Sequence, residues 1–403
     1  MLEKRIIYAD HSATTKVRSE VVDIMDKIMK EDFGNPSSIH TFGKTARKHL
    51  EEARKNIADV IGAKEEEIFF TSGGTESDNT VIFGIAKLVE EGLLQKEKHI
   101  ISTSIEHPAI KEPLELLCKK GWKISWLKVD KEGFVNPEEL ELMITPRTSL
   151  VSVIHANNEI GTIQDLKKIS EIIRKNNVLF HTDAVQSFCK IPIDVKDIGI
   201  DFMSMSSHKI YGPKGVGGLY VKSGNTLIPH LVGGGQEGNL RPGTENLPGI
   251  VGFGLAAKLL HGELHQNTNM LQRLQIKLME KLSVLGSKII FTGPSIDKYP
   301  YRLPGHVSIC TSNIQGESLV LQADLKGIAV SSASACKNSK NRKNASIEPS
   351  HVLIACTIPQ EYIKGSLRIT LGKENTMEDI NYISESIKEI VMKISKKMTT
   401  VKL

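Results

Sequence analysis

The sequence predicts an α/β fold: a mainly parallel sheet covered by helices, followed by a smaller α+β unit. Three observations predict it. Short apolar runs ending in turn residues recur through the first two thirds of the chain. Helical patterns separate most of them, as parallel strands joined by crossover helices require. After about Gly254 the texture changes to a long charged helical segment and then to a second, shorter set of strands. A chain of 403 residues is long enough for two such units.

The elements follow in order. Val17, Val21, Ile24 and Ile28 fall at helical spacing, with Val22, Met25 and Met29 beside them, and predict the first amphipathic helix. "EIFFT" (Glu67–Thr71) is a short apolar strand that stops at "SGG", and a helical pattern then runs through Lys87. "HIISTS", "KISWLKV", "SLVSVIHA", "VLFHTDA" and "DFMSMSS" are further strands, with helices between them such as Asp165–Lys175. One long helix is predicted from about Leu255 to Leu285, joining the second unit, where "HVSIC", "IAVSS" and "SLRITL" read as strands. The stretch "CKNSKNRKNAS", Cys336 to Ser346, is polar and basic without apolar anchors and reads as a mobile loop. No internal repeat is present.

Composition narrows the function classes. Apolar residues make up 40% and charged residues 25%, ordinary globular usage, so a core can form without disulfides or metals. The net charge of +5 is spread along the chain, with no clustered basic face of the kind that binds nucleic acid directly. The five cysteines, Cys118, Cys189, Cys310, Cys356 and Cys336, include no C-x-x-C pair and are odd in number. That argues against a zinc site or a disulfide framework and for a reducing, cytoplasmic setting. Cys118, Cys189 and Cys310 sit in helical or strand-like apolar patterns and read as inert thiols, and Cys356 after "HVLIA" as packed. The N-terminus has no apolar signal region, and no stretch approaches the roughly 20 apolar residues of a membrane span.

Several motifs carry chemistry. In "FTSGGTESDN" a strand ends, small residues turn the chain and a helix begins near Thr75, which presents backbone N–H groups and the positive end of a helix dipole to an anion. Taken alone it is equally a capped helix after a strand. In "FHTDAVQS", Asp183 ends an apolar strand, the place where parallel sheets collect ligands, and Gln186 follows; an N-cap is the plainer reading of the aspartate. "HANNEIGT" ends another strand in hydrogen-bonding side chains, and "SIEHPAI" places His107 after a third. "SMSSHKIYGPKGVGGLY" sets Lys209 between a Ser/His turn and a run of glycines that let the backbone turn tightly. An anion cradle, a strand-end aspartate, a strand-end asparagine and histidine, and a turn lysine together suit pyridoxal 5'-phosphate, held by the lysine as a Schiff base with a carboxylate on its ring nitrogen.

These motifs stand in one order with "YADHSATT", "GNPSSIH", "ANNEIGTIQ", "GGGQEGNLRPGTEN", "SSASAC" and "SLRITLG". The sequence resembles the NifS/IscS-type cysteine desulfurases, fold-type I pyridoxal-phosphate enzymes, over almost its whole length. The resemblance implies a large domain over 15–260 with a mainly parallel seven-stranded sheet, and a small α+β domain over 1–14 and 261–403 that carries a cysteine loop at about 331–347. It implies that Lys209 bears the cofactor, that His107 lies on the ring face and moves protons, and that Asp183 pairs with the ring nitrogen. Gln186 and, less directly, Asn158 are assigned to the phenolic oxygen or the substrate. Gly74, Thr75, Ser206 and His208 are assigned to the phosphate. Thr244 is expected to reach the phosphate of a neighbouring subunit in a homodimer, and Arg368, with Asn35 nearby, to bind the substrate carboxylate, since its planar fork meets a carboxylate bidentately.

In that family's chemistry L-cysteine loses its α-proton, here to Lys209, and Cys336 takes the substrate sulfur as a persulfide. Alanine leaves, and the sulfur passes to an acceptor protein such as an iron–sulfur scaffold or a tRNA-thiolation protein. No metal is expected, apart from Cys336 as a transient iron–sulfur ligand. Lys337, Lys340, Arg342 and Lys343 favour a thiolate at Cys336 where they stay close. The segment "KNSKNRKNA" between Cys336 and "SIEPSHVL" is several residues longer than in close relatives, which bears on the acceptor served. Ala333 stands where glycine is commoner, and His11 and Ser12 where many relatives have asparagine and alanine. Two other readings remain: a selenocysteine lyase or other β-elimination on this scaffold, and a sulfur-relay scaffold without catalysis.

Overall fold

The computed structural model describes residues 5–298, 300–333 and 349–401. The described residues form twelve strands: β1 (Ile7–Tyr8), β2 (Ile68–Thr71), β3 (His99–Thr103), β4 (Lys123–Leu127), β5 (Leu150–Ser152), β6 (Leu179–Asp183), β7 (Phe202–Ser206), β8 (Gly217–Val221), β9 (Ile289–Phe291), β10 (His306–Thr311), β11 (Ile328–Ala329) and β12 (Ser366–Thr370). Seven make the main sheet in the order β2-β8-β7-β6-β5-β3-β4. All neighbouring pairs are parallel except those of β8, which runs antiparallel to both β2 and β7. This is the fold-type I α/β architecture that the sequence predicts.

The sheet is covered on both sides because its strands are apolar on both sides. Ile100, Leu150, Phe202 and Leu219 pack with Val81, Ile82, Ile110 and Leu114 of the helices Gly74–Glu90 and Pro108–Lys119. Their chain neighbours Ile101, Val151, Met203 and Tyr220 face the opposite core, with Leu50 and Ile57 of Thr41–Ile61 and Phe253 of Leu247–Gly262. Successive strand residues point to opposite faces, so each strand feeds both cores.

β8 was not among the predicted strands, because "GVGGLY" reads as a turn. Its glycines answer a packing demand instead. A Cβ on Gly217 would lie 2.6 Å from the Gly73 backbone and 2.7 Å from the Met205 carbonyl oxygen. Only glycine lets β8 pass between β7 and the turn after β2.

The single helix predicted from Leu255 to Leu285 is two helices, Leu247–Gly262 and Leu264–Ser283, parted at Glu263. The first starts at Asn246, whose side chain accepts from Gly249 N, with Pro248 in the first turn. Glu263 at the break receives both terminal nitrogens of Arg18 at 2.9 Å. No proline marks the break, and the helical periodicity runs through it.

The second sheet is antiparallel, in the order β12-β10-β9, with Ser308 opposite Arg368. β1 pairs in parallel with β11, so Ile7 and Ala9 join the core made by Leu278, Leu282, Val307, Ile309 and Ile387. The chain then leaves β1 and runs through Asp10–Thr15 to the main sheet, where Thr15 N donates to the His208 carbonyl at 2.9 Å.

One buried ion pair fixes the 233–246 loop. Arg54 Nη1 and Nη2 donate to Glu237 Oε2 and Oε1 at 3.0 and 2.8 Å, and Phe70 N donates to the same Oε2 at 2.6 Å. Their side chains are 11% and 3% exposed. Arg54→Met strands the Glu237 carboxylate, so denaturant unfolding should show a loss of about 3–5 kcal/mol. A loss below 1 kcal/mol would mean that the loop holds without the pair.

Candidate active site

A cavity of about 290 Å³ opens at the carboxyl ends of β5, β6 and β7, where open parallel sheets bind ligands. Lys209, in the short turn after β7, lines it. Its amine is turned inward: Nζ donates to the carbonyls of Ser12 and Ala13 at 2.6 and 2.7 Å.

Asp183 ends β6, buried, with Oδ1 accepting from Val185 N at 2.9 Å. The N-cap-like bond and the cavity position therefore coexist. Burial raises its carboxyl to about 6, against the pull of Val185 N–H and the Lys209 charge. Asp78, one turn into the helix Gly74–Glu90, also lines the cavity. Its carboxyl stands well above the usual range, through burial and the neighbouring Asp183 charge. Asp78 Oδ1 has no hydrogen-bond partner among the described residues and lies 3.7 Å from His181 Nε2. Two crowded carboxyls, one with an oxygen left unpartnered among the described residues, call for a cation in the cavity, and the protonated nitrogen of a pyridine ring meets that need.

At the opposite end the helix Gly74–Glu90 begins. The N–H groups of Gly74, Thr75 and Glu76 have no acceptor among the described residues, whereas Ser77 N bonds Gly73 O at 3.1 Å. A Cβ on Gly74 would sit 2.5 Å from Val185 Cγ2, so only glycine fits there. Ser206 and His208 complete this end, and His208 Nδ1 lies 3.1 Å from Thr14 Oγ1. The cradle suits a phosphate. Cradle, inward amine and carboxyl pair together fit pyridoxal phosphate.

His107 caps the helix Pro108–Lys119: Nδ1 accepts from Ala109 N at 3.1 Å, which leaves the neutral ring's proton on Nε2. Burial first, then the charges of Lys209 and His351, lower it to about 4, so it is neutral at pH 7. Gln186 and Asn158 line the same cavity. Arg368 on β12 enters from the second sheet; its Nη1 donates to Asn158 O at 3.0 Å and its Nη2 to Asp10 Oδ1 at 2.9 Å. Its Nε is buried without a partner among the described residues, a donor left for an anion.

Two predicted positions are not in this cavity, and a third lies outside the described residues. Asn35 is exposed, its Oδ1 accepting from Ser37 N at 2.9 Å, and Thr244 is exposed on the 233–246 loop. Cys336, with Lys337, Lys340, Arg342 and Lys343, lies outside the described residues; the chain that leads to it, Ser331–Ala333, lines the cavity. Cys189, Cys310 and Cys356 are buried, and burial raises all three thiols, the latter two to about 12. Cys118 is exposed, against the packed position its helical pattern predicts, because it falls on the outer face of Pro108–Lys119.

Sequence reasoning missed Asp10, Ser12 and Asp78. Asp10 clamps Arg368 and accepts from Ser331 Oγ at 2.6 Å. The signal was present in "YADHSATT" and "TESDN", but nothing local says that these stretches meet. It also missed Glu106, buried beside His107, whose Oε1 accepts from Thr103 Oγ1 and Ile154 N at 2.7 and 2.8 Å while Oε2 has no partner among the described residues. Burial raises its carboxyl from 4.5 to about 8. The folded protein thus holds a proton that the unfolded chain releases, and stability is lost as pH rises across that window. For this carboxyl the loss is on the order of 5 kcal/mol. Glu106→Gln removes the loss, so urea unfolding should find the variant level with the wild type near pH 4.5 and clearly more stable above pH 8. Equal stability at both ends would show that Glu106 ionises normally.

The class-V aminotransferase family model matches residues 7–383. The chain belongs to the class-V aminotransferase family. Within that family it is 47% identical, over 97% of its length and 93% of the other, to the cysteine desulfurase IscS of Methanosarcina thermophila. It is 44% identical to the IscS of Dictyoglomus turgidum, over 97% of this chain and 96% of that one. A solved NifS-like protein superposes with a TM-score of 0.87 at 37% identity, covering 97% of this chain and all of the other. Among the described residues of this class-V chain no cluster of His, Cys, Asp and Glu is placed to hold a metal ion, and no helix is long and apolar enough to cross a membrane.

Proposed function

We propose that the protein is a pyridoxal-phosphate-dependent cysteine desulfurase that takes sulfur from L-cysteine, leaves L-alanine and carries the sulfur as a persulfide on Cys336. The observation that supports it best is the single cavity in which an inward lysine, a buried aspartate, an open helix N-terminus and a half-satisfied arginine converge. The cofactor, when bound, makes the substrate's α-carbon acidic and draws in its electrons. Lys209 anchors it and takes the α-proton. Asp183 keeps the ring nitrogen protonated, and His107 covers the ring and offers its Nε2 proton. Gln186 and Asn158 orient the phenolic oxygen and the substrate. Gly74, Thr75, Ser206 and His208 hold the phosphate, and Arg368 takes the substrate carboxylate through Nε and its spare N–H bonds.

In sequence Cys336 follows Ala333, a residue of the cavity wall, by three residues. Its thiolate bonds to the substrate sulfur as the carbon–sulfur bond breaks, and protonation of the carbon releases alanine.

The same proposal includes a homodimer. Phe33, Ile39 and Phe42 are exposed around Asn35, and Leu231 and Val232 are exposed before the loop of Thr244. Burying them against a second copy would bring Thr244, and Asn35 with it, to a neighbouring site. We divide the chain into a cofactor domain over 15–260 and a small domain over 1–14 and 261–403, place the enzyme in the cytoplasm, where its free thiols persist, and assign its sulfur to an iron–sulfur scaffold or a tRNA- or cofactor-thiolation protein. Mass spectrometry of the holoenzyme after incubation with cysteine tests the core of the proposal: a mass gain of one sulfur on the Cys336 peptide supports it, and sulfur on another thiol, or on none, overturns it.

A further inference from the structure

Lys190 lies four residues beyond Gln186, outside the motifs that define the site. Its Nζ donates to Gln186 Oε1 at 3.0 Å, and Gln186 Nε2 donates to the Ser12 carbonyl at 2.9 Å. An ammonium has only donors and a carbonyl only lone pairs, so these two neighbours leave one orientation for the Gln186 amide. Its NH₂ group is held toward the cavity, with one hydrogen on Ser12 and the second unassigned.

The two side chains stand on either side of a wall. Gln186 lines the cofactor cavity, whereas Lys190 lines a smaller adjoining cavity of about 50 Å³ with His11, Tyr211 and His306. Ser12 and Lys209 line both. Among the described residues Lys190 has no carboxylate partner; the Gln186 oxygen is the only acceptor of its ammonium. The groups that face it are cations or neutral: Lys209 and Arg368, the imidazoles of His208 and His306, and the Cys189 thiol. A half-buried lysine among positive neighbours, bonded to one amide oxygen, is costly to keep unless that bond matters.

We propose that Lys190 is a positioning residue: it locks the Gln186 amide so that its free N–H points at the phenolic oxygen of the bound cofactor and keeps that oxygen deprotonated. This rests on the site reading given above. Burial, then the charges of Lys209 and Arg368, lower the Lys190 ammonium to about 7, and below that pH its charge polarises the amide and strengthens it as a donor. Loss of the donor makes the phenolic oxygen more basic. Loss of the positive charge favours the protonated form of the Lys209-linked chromophore. Both push its titration to higher pH.

The test is a pH titration of the visible absorption of the holoenzyme in wild type, Lys190→Met, Lys190→Arg, Gln186→Ala and the double variant Lys190→Met/Gln186→Ala. Lys190→Met should raise the midpoint by about one pH unit, a tenfold change in the proton equilibrium, and Lys190→Arg should restore it. Gln186→Ala should move it the same way. The double variant should shift by less than the sum of the two, since one residue acts through the other. An unshifted Lys190→Met beside a shifted Gln186→Ala, or a fully additive double variant, overturns the proposal and leaves the site reading intact. An unshifted Gln186→Ala overturns both. Thermal unfolding of the same holoenzymes separates positioning from structure: a positioning lysine without a carboxylate partner leaves Lys190→Met within about 2 °C of wild type, and a protein that fails to fold overturns the proposal.

Discussion

Lys209→Ala is expected to lose the visible absorption of the enzyme-linked cofactor together with sulfide release. The amine is set between the cofactor cavity and the carbonyls of Ser12 and Ala13, to which it donates at 2.6 and 2.7 Å. On the proposed roles, alanine removes both the covalent anchor and the base for the α-proton. Proton transfer alone accounts for roughly 10²–10⁴-fold, and the lost anchor adds to it. The fold should survive, since Ile210, Tyr211 and the β8 glycines pack without the amine. Sulfide assay and absorbance on the same sample check this. A variant that keeps both the yellow colour and turnover would remove the basis for the site.

Cys336→Ala is expected to separate the two halves of the reaction. Sulfide release from cysteine should fall to background, while the absorbance of the bound cofactor and its change on adding cysteine persist, because Lys209, Asp183 and the Gly74 cradle are untouched. Burial disfavours the thiolates of Cys189, Cys310 and Cys356, so none of these is a ready substitute. Turnover that survived the change would mean direct elimination of sulfide from the substrate, and the persulfide step would be wrong.

Much of this was legible in the sequence because the fold writes its strands and its site in the same residues. "VLFHTDA" is at once an apolar strand and the carrier of Asp183, so periodicity and chemistry agreed on β6. "SMSSHKIYG" did the same for β7 and Lys209. What stayed hidden was of another kind. β8 looked like a loop because close packing against Gly73 demanded glycine where strand propensity demands bulk. The break at Glu263 carries no local signal; its partner Arg18 is far away in sequence. Asp10 and Asp78 meet side chains from distant segments, and their meaning exists only once the chain has folded.

The run from Asp10 to Ala13 ties two tasks to one strap. Its first residue grips the arginine proposed to take an α-carboxylate, and its last two cradle the amine proposed to remove the neighbouring hydrogen. On the proposed roles, a displacement of that arginine by an arriving anion would pull on the same few residues of backbone that hold the amine. If those roles hold, choosing the amino acid and arming the base share one strap, and a change made to tune the first is expected to reach the second.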